Sequence, residues 1–529
     1  MLNGKNPIFP GFHPDPCICR VGDDYYIATS TFQWFGGVGL YHSKDLVNWE
    51  ELPSPLTRVS QLDMAGNPNS GGVWAPCLTY HDGIFYLIYT NTKNFHGIFK
   101  DTHNYLVTAT DIRGEWSEPV YLNSSGFDPS LFHDEDGKKY LVNMRWDHRM
   151  EHQDFAGILI QEYSSEQKKL IGEPKTIFKG TEIGAVEGPH LYKKDGYYYL
   201  MVAEGGTMYN HGIRMARSRN IYGPYEYDPT PLLTTRNNPE SPLQRTGHGS
   251  LVETQNGDFY VTYLCGRPVG DKQRCILGRE TALANVVWDK NGWLRLENGG
   301  VVPPVEYTSK LTEYKFDKAP ECDHFNTDKL PAWYKTLRIP FTENMGSLSA
   351  RKGWLRLYGH EAPTSWFNQS LVARRLDAFR TETTVKMDFS PKTFQQMAGL
   401  EVIYDTYNFF YLYMSNDEEG NNVLRIVVRD SLKFYNPVGF VSIGSRTEVW
   451  LRVNIDYLRL SFSYSLDGVH FENIGGELDC SNLSDEAYVD IGHEGHTGTF
   501  VGMSCQDLTG GNGGDVAHAD FEYLSYIIK

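Results

Sequence analysis

The feature that most constrains this chain is a repeat. A turn followed by an aromatic-rich strand recurs five times in the first half: Gly22-Asp23-Asp24-Tyr25-Tyr26-Ile27, Asp82-Gly83-Ile84-Phe85-Tyr86-Leu87, Asp136-Gly137-Lys138-Lys139-Tyr140-Leu141, Asp195-Gly196-Tyr197-Tyr198-Tyr199-Leu200 and Asn256-Gly257-Asp258-Phe259-Tyr260-Val261. The closing tyrosines recur every 54 to 61 residues. Each Asp-Gly or Asn-Gly pair is a hairpin signal, since both residues tolerate positive φ. Upstream of each tyrosine lies a second recurring element: Asp15-Pro16-Cys17-Ile18, Ala75-Pro76-Cys77-Leu78, Asp128-Pro129-Ser130-Leu131, Gly188-Pro189-His190-Leu191 and His248-Gly249-Ser250-Leu251. Units of about 60 residues made of strands, with no amphipathic helix between them, read as blades of a propeller. Isolated hairpins of this size would bury no core. The sequence therefore predicts an all-β chain that begins with a five-bladed β-propeller over residues 1–305.

At 529 residues the chain exceeds what one hydrophobic core usually supports, so a second domain is expected. Residues 306–340 are mixed and charged and read as a linker. From 341 to 529, period-2 alternation returns without the repeat, as in Glu448-Val449-Trp450-Leu451-Arg452-Val453-Asn454. That pattern predicts an antiparallel β-sandwich. Gly510-Gly511-Asn512-Gly513-Gly514 reads as a flexible surface connection.

A net charge of −17 without a basic block argues against nucleic acid and against an anionic substrate, and is compatible with a neutral sugar. No apolar run approaches the roughly 18 residues of a membrane span. The first residues carry no apolar leader, so a cytoplasmic location is expected. The eight cysteines show no tight period. Cys17-Ile18-Cys19 lacks a second pair to complete a zinc spacing, and buried thiols in a reducing compartment are the expectation.

In a propeller the innermost strands line a central channel. Equivalent repeat positions therefore converge, and here they are Asp15, Ala75, Asp128, Gly188 (preceded by Glu187) and His248. Three blades present a carboxylate and a fourth a histidine. Asp15 stands between two prolines, Asp128 before one and Glu187 before Gly188-Pro189, which restricts the backbone around each acid. Carboxylates converging on a funnel suit glycoside hydrolysis, which needs a general base and a general acid. A third carboxylate nearby raises the acid's pKa by like-charge repulsion.

His13-Pro14-Asp15-Pro16, Tyr25 through Phe32, Gly72-Val73-Trp74-Ala75-Pro76, Glu187-Gly188-Pro189-His190-Leu191-Tyr192, Ala203-Glu204-Gly205-Gly206-Thr207, Gly247-His248-Gly249-Ser250 and Leu277-Gly278-Arg279-Glu280-Thr281 together resemble glycoside hydrolase family 43. The resemblance is to its two-domain β-xylosidase and α-L-arabinofuranosidase branch, and it continues to Thr499-Phe500-Val501-Gly502-Met503. It implies a propeller followed by a jelly-roll, concanavalin-like sandwich that closes the active-site pocket. It also implies Asp15 as general base, Asp128 as pKa modulator and orienter, and Glu187 as general acid. Phe32, Trp74, Thr207, Arg279 and Phe500 would contact substrate, and His248 would border one central divalent cation, calcium by the family's habit. Homo-oligomers, dimers or tetramers, are the family's usual state. Gln33, Gly36 and Gly188 stand where many members carry Glu, Pro and Ala, and these positions bear on pentose preference.

Three residues keep two readings. Trp34 is either a stacking platform or core; His248 is either a satisfied core histidine or a metal neighbour. Phe500, after the polar, glycine-rich 493–498, reads as a loop residue that either anchors a domain interface or walls the site. The function expected is exo-acting, inverting release of a terminal pentose from xylo-, arabinoxylo- or arabino-oligosaccharides. An endo-acting arabinanase and a non-catalytic carbohydrate-binding propeller are the rivals.

Overall fold

In the computed structural model, which describes residues 1–511 and 516–529, each predicted turn lies at a hairpin tip. Asp82 and Gly83 both take positive φ (49° and 79°), as do Asp195 and Gly196 (50° and 73°), the geometry a two-residue turn between twisted strands requires. The turns at Gly137 and Gly257 are longer, with strand pairing resuming at His133↔Lys139 and Glu253↔Phe259.

The first half folds into five antiparallel sheets, each built on a run of four strands, with Leu233–Thr234 added to the fourth sheet. Their innermost strands are Cys17–Val21, Gly72–His81, Ser130–His133, Glu187–Lys194 and Gln244–Glu253. This is the five-bladed propeller the repeat predicts. The repeated tyrosines help fill the seams between blades. Tyr260 packs with Ile18, Ile27 and Leu283, and Tyr86 with Leu131, Leu141 and Tyr163. Such seams remove from water the sheet faces that no single blade could bury.

The N-terminal segment locks the ring. Leu2–Lys5 pairs with Glu306–Ser309. The Asn6 side chain donates to the Leu283 carbonyl (2.8 Å) and accepts from its N–H (2.9 Å). The His13 N–H donates to the Arg279 carbonyl at 2.8 Å. Asp15 thus enters the first blade with the segment before it already fixed to the last.

The 306–340 stretch is not a separate linker. Its start pairs with the N-terminal strand, and the chain from Lys318 onward clusters with the second unit. That unit also takes up Asp63–Ser70 and Val269–Gly278 from within the propeller sequence. Ile276 and Leu277 lie in its hydrophobic core, and the Arg338 Nε donates to the Asn67 carbonyl at 2.7 Å. Repeat spacing cannot reveal such excursions, because they sit in loops where the period carries no information.

The second unit is the expected concanavalin-like sandwich. Val385, Met387 and Phe389 of Arg380–Phe389 alternate into the same core as Leu400 and Val402 of Gln396–Asp405 and Leu451 and Val453 of Glu448–Asp456. The only helix among the described residues is Asp485–Val489. Among them no helix is long and apolar enough to cross a membrane. Of the glycine-rich connection expected at 510–514, residues 512–514 lie outside the described residues.

Candidate active site

The five convergent positions share one backbone state. Asp15, Ala75, Asp128, Gly188 and His248 all take positive φ, at 56°, 35°, 55°, 56° and 40°. Four of the five precede a proline, which disfavours the ordinary helical region for its predecessor. For the four residues other than glycine, the left-handed region costs on the order of 1–3 kcal/mol each. Four strained residues at one level of the channel mark a site whose side-chain directions matter more than its stability.

Asp15 is held from two sides. Its Oδ1 accepts from Arg279 Nη1 at 2.9 Å and its Oδ2 from Ser30 Oγ at 2.6 Å. Ser30 Oγ in turn accepts the Ala75 N–H at 2.7 Å, so the hydroxyl proton is directed at the carboxylate. Arg279 is 2% exposed. A guanidinium buried that deeply is tolerated only with a paired carboxylate. Asp128 Oδ2 accepts the Gly188 N–H at 3.0 Å and so fixes the peptide that immediately follows Glu187. Burial first, then the nearby charges of Glu187 and Asp15, hold the Asp128 carboxyl well above the usual carboxylate range. Asp128 therefore holds its proton longer than a separate, solvated carboxyl would.

His248 stands between two of the three acids, its Nδ1 3.9 Å from Asp15 Oδ1 and 3.8 Å from Asp128 Oδ2. Burial is the main cause lowering its pKa. A Cβ at Gly188 would sit 3.0–3.1 Å from the His248 ring, which together with the positive φ accounts for glycine at that position. At Gly36 an added Cβ would meet Ser54 at 2.5 Å.

Aromatic rings pack beside the site. Phe32 lies 5.9 Å from Trp74, centroid to centroid, and the Arg279 guanidinium carbon 5.1 Å from the Phe32 ring. Trp74 packs edge-on against Phe127 and Phe95 at 5.3 Å each. Thr207 is half-buried and its carbonyl accepts from Arg245 Nε at 2.9 Å. Trp34 is fully buried, which favours its reading as core. Phe500 is not a loop residue: it opens the strand Phe500–Asp507, pairs with Arg375 and Ile403, and is fully buried. The polar approach before it ends one residue sooner than the sequence suggests.

The calcium expected beside His248 meets few oxygen donors. The cavity there is about 10 Å³ and is bordered by Cys17, Cys77, His190 and His248 together with Asp15 and Asp128. Calcium takes six to eight oxygens, and the side chains bordering this space offer two carboxylates, of which Asp15 already accepts hydrogen bonds on both oxygens.

Ser30 is not among the candidate residues expected from the sequence. The signal for Ser30 was the polar Thr29-Ser30-Thr31 run closing an otherwise apolar strand.

A carboxylate clamped by two donors, two further carboxyls nearby and aromatic rings beside them on a propeller axis fit a carbohydrate-cleaving hydrolase. Residues 4–294 match Glycosyl hydrolases family 43, and residues 322–527 match the Beta xylosidase C-terminal Concanavalin A-like domain. The chain belongs to glycoside hydrolase family 43 and is a glycoside hydrolase. It is 48% identical to a Beta-xylosidase of Bacillus subtilis (strain 168), over 98% of this chain and 99% of that one. It is 46% identical to Xylosidase/arabinosidase 43B of Humicola insolens, over 99% and 97%. The crystal structure of xylan beta-1,4-xylosidase from Bacillus halodurans C-125 superposes with a TM-score of 0.96 at 52% identity, covering 99% of this chain and all of that one.

Proposed function

We propose that this enzyme releases a terminal pentose, β-D-xylose or α-L-arabinofuranose, from short xylo-, arabinoxylo- or arabino-oligosaccharides, with inversion at the anomeric carbon. Asp15 is the base that takes a proton from the attacking water. Arg279 and Ser30 hold and aim its carboxylate. Glu187 protonates the departing glycosidic oxygen. Asp128 orients Glu187 through the Gly188 N–H and, as a neighbouring carboxyl, opposes early loss of the acid's proton. Phe32 and Trp74 offer the apolar faces a sugar ring stacks on, and Thr207 and Arg279 offer polar contacts. The observation that carries this reading is the two-donor clamp on Asp15 facing a coupled pair of carboxyls.

The names borne by the similar proteins favour a xylosidase or arabinosidase over an endo-acting arabinanase. A cytoplasmic location and a homo-oligomer belong to the same proposal, since only imported short oligosaccharides would then reach the enzyme. Parallel kinetics on 4-nitrophenyl β-D-xyloside and α-L-arabinofuranoside set the preference. NMR of the first-formed product reads the anomer. A retained configuration, or mid-chain cleavage of long polymers, overturns the reading.

A further inference from the structure

Two places after Asp15, Ala75, Asp128, Gly188 and His248 the inner strands carry a second set of residues, Cys17, Cys77, Ser130, His190 and Ser250, and Cys17, Cys77 and His190 border the same axial cavity as Asp15, Asp128 and His248. Two of its members are hydroxyls with backbone duties, and Cys17 Sγ also donates to the Leu78 carbonyl at 3.6 Å. Ser130 Oγ donates to the Pro189 carbonyl at 2.5 Å, and Ser250 Oγ accepts the Ile18 N–H at 2.7 Å. The remaining three are good ligands for a soft metal, and their ligand atoms all lie within 4.8 Å of one another. Both thiols are buried, and all three residues border the same cavity of about 10 Å³ on the channel axis.

The spacing suits a particular ion. Two thiolates bound tetrahedrally to zinc at about 2.3 Å stand roughly 3.8 Å apart, and a thiolate and an imidazole roughly 3.5 Å. Cys17 Sγ and Cys77 Sγ are 3.7 Å apart. Bringing the imidazole to bonding distance asks for a shift on the order of 1 Å. Two sulfurs and one nitrogen select zinc over the oxygen-seeking cations.

We propose that Cys17, Cys77 and His190 form a zinc site in the propeller channel, on the cavity they share with Asp15 and Asp128. Binding deprotonates both thiols and passes their protons to solvent. The ligands come from the first, second and fourth blades, so the ion cross-links three blades. It does so two residues after Asp15, without touching the reacting sugar. Its role is that of a staple which fixes the level of the channel where the base is held. The sequence hides this site, because its ligands are 60 and 113 residues apart and fit no zinc spacing in one segment.

The test uses the full chain, purified in reducing buffer, stripped with a chelator and titrated with zinc chloride alone. Bound metal is measured by elemental analysis, and thermal unfolding is followed alongside. The expected result is one tightly held zinc per chain and a Tm that rises on adding zinc. Cys17→Ser and Cys77→Ser should lose both responses, while Cys265→Ser, in the fifth blade and outside this set, keeps them. Cobalt loading of the wild type gives a readout independent of whether the variants fold, and a thiolate-to-cobalt charge-transfer band is expected. Absence of that band, zinc binding no greater than in the double Cys17→Ser/Cys77→Ser variant, or a Cys17–Cys77 disulfide mapped in the purified protein overturns the proposal.

Discussion

At the scale of single residues the decisive contacts are those on Asp15. Asp15→Ala should abolish hydrolysis of every substrate, a loss of about 10²–10⁴-fold or more, because the attacking water has no base. Glu187→Ala should spare activated aryl glycosides relative to natural oligosaccharides, since a good leaving group needs little protonation. Equal losses on both substrate types in both variants would reverse the assignment of roles. Ser30 donates one hydrogen bond to Asp15, the proposed base. Ser30→Ala should lower kcat by about 10-fold or more with little change in KM, the mark of an interaction that serves the reacting state. Steady-state kinetics separates the two constants. The acids themselves were legible in the sequence because the repeat aligned them. Ser30 was not, since its importance lies in donating to Asp15 while accepting the Ala75 N–H of the second blade, which no one-dimensional pattern displays.

At the scale of a strand, the sandwich carries one costly position. Glu401, on Gln396–Asp405, is fully buried, and burial pushes its carboxyl up to about 8 from an ordinary 4.5. Between those two values the folded chain holds a proton that the unfolded chain has released. Stability should therefore fall as pH rises from about 4.5 to about 8 and level off beyond. Glu401→Gln should remove that slope, leaving Tm nearly unchanged near pH 5 and raising it near pH 8. Thermal unfolding across this range checks it, and parallel slopes in both proteins would refute it. Leu400 and Val402 on either side of Glu401 enter the sandwich core, and the opposite face, where Glu401 lies, is buried as well; period-2 alternation distinguishes two faces without saying what covers each.

At the scale of the whole molecule the propeller depends on its closure. Asn6 joins the N-terminal segment to the fifth blade with a reciprocal pair of hydrogen bonds to Leu283, both groups buried. Asn6→Ala strands the Leu283 N–H and carbonyl and should cost about 1–3 kcal/mol for each buried group left unmade, read as a lower midpoint in urea. An unchanged midpoint would show that the paired terminal strands close the ring unaided. The exo reading also assigns a substrate contact to Phe500, and Phe500→Ala should then raise KM for short substrates. Because this ring is fully buried, the substitution should lower Tm as well, by the equivalent of about 3–5 kcal/mol at most. A stability loss with KM untouched would reduce Phe500 to a packing residue.

The sequence by itself determined the number of blades, the turns that separate them and the three acids on the axis, because each is written at a fixed place in a repeat and every copy obeys the same strand geometry. It also determined the sandwich, whose alternating strands carry their own periodicity. Tertiary structure alone decided what the repeat leaves unwritten. It set which loops abandon the propeller for the second unit, how Ser30 and Arg279 divide the oxygens of Asp15, and that Cys17, Cys77 and His190 come to one point. Those outcomes depend on which strands end up side by side around a closed ring. Closure is a property of the ring as a whole, and no segment of the chain encodes it locally.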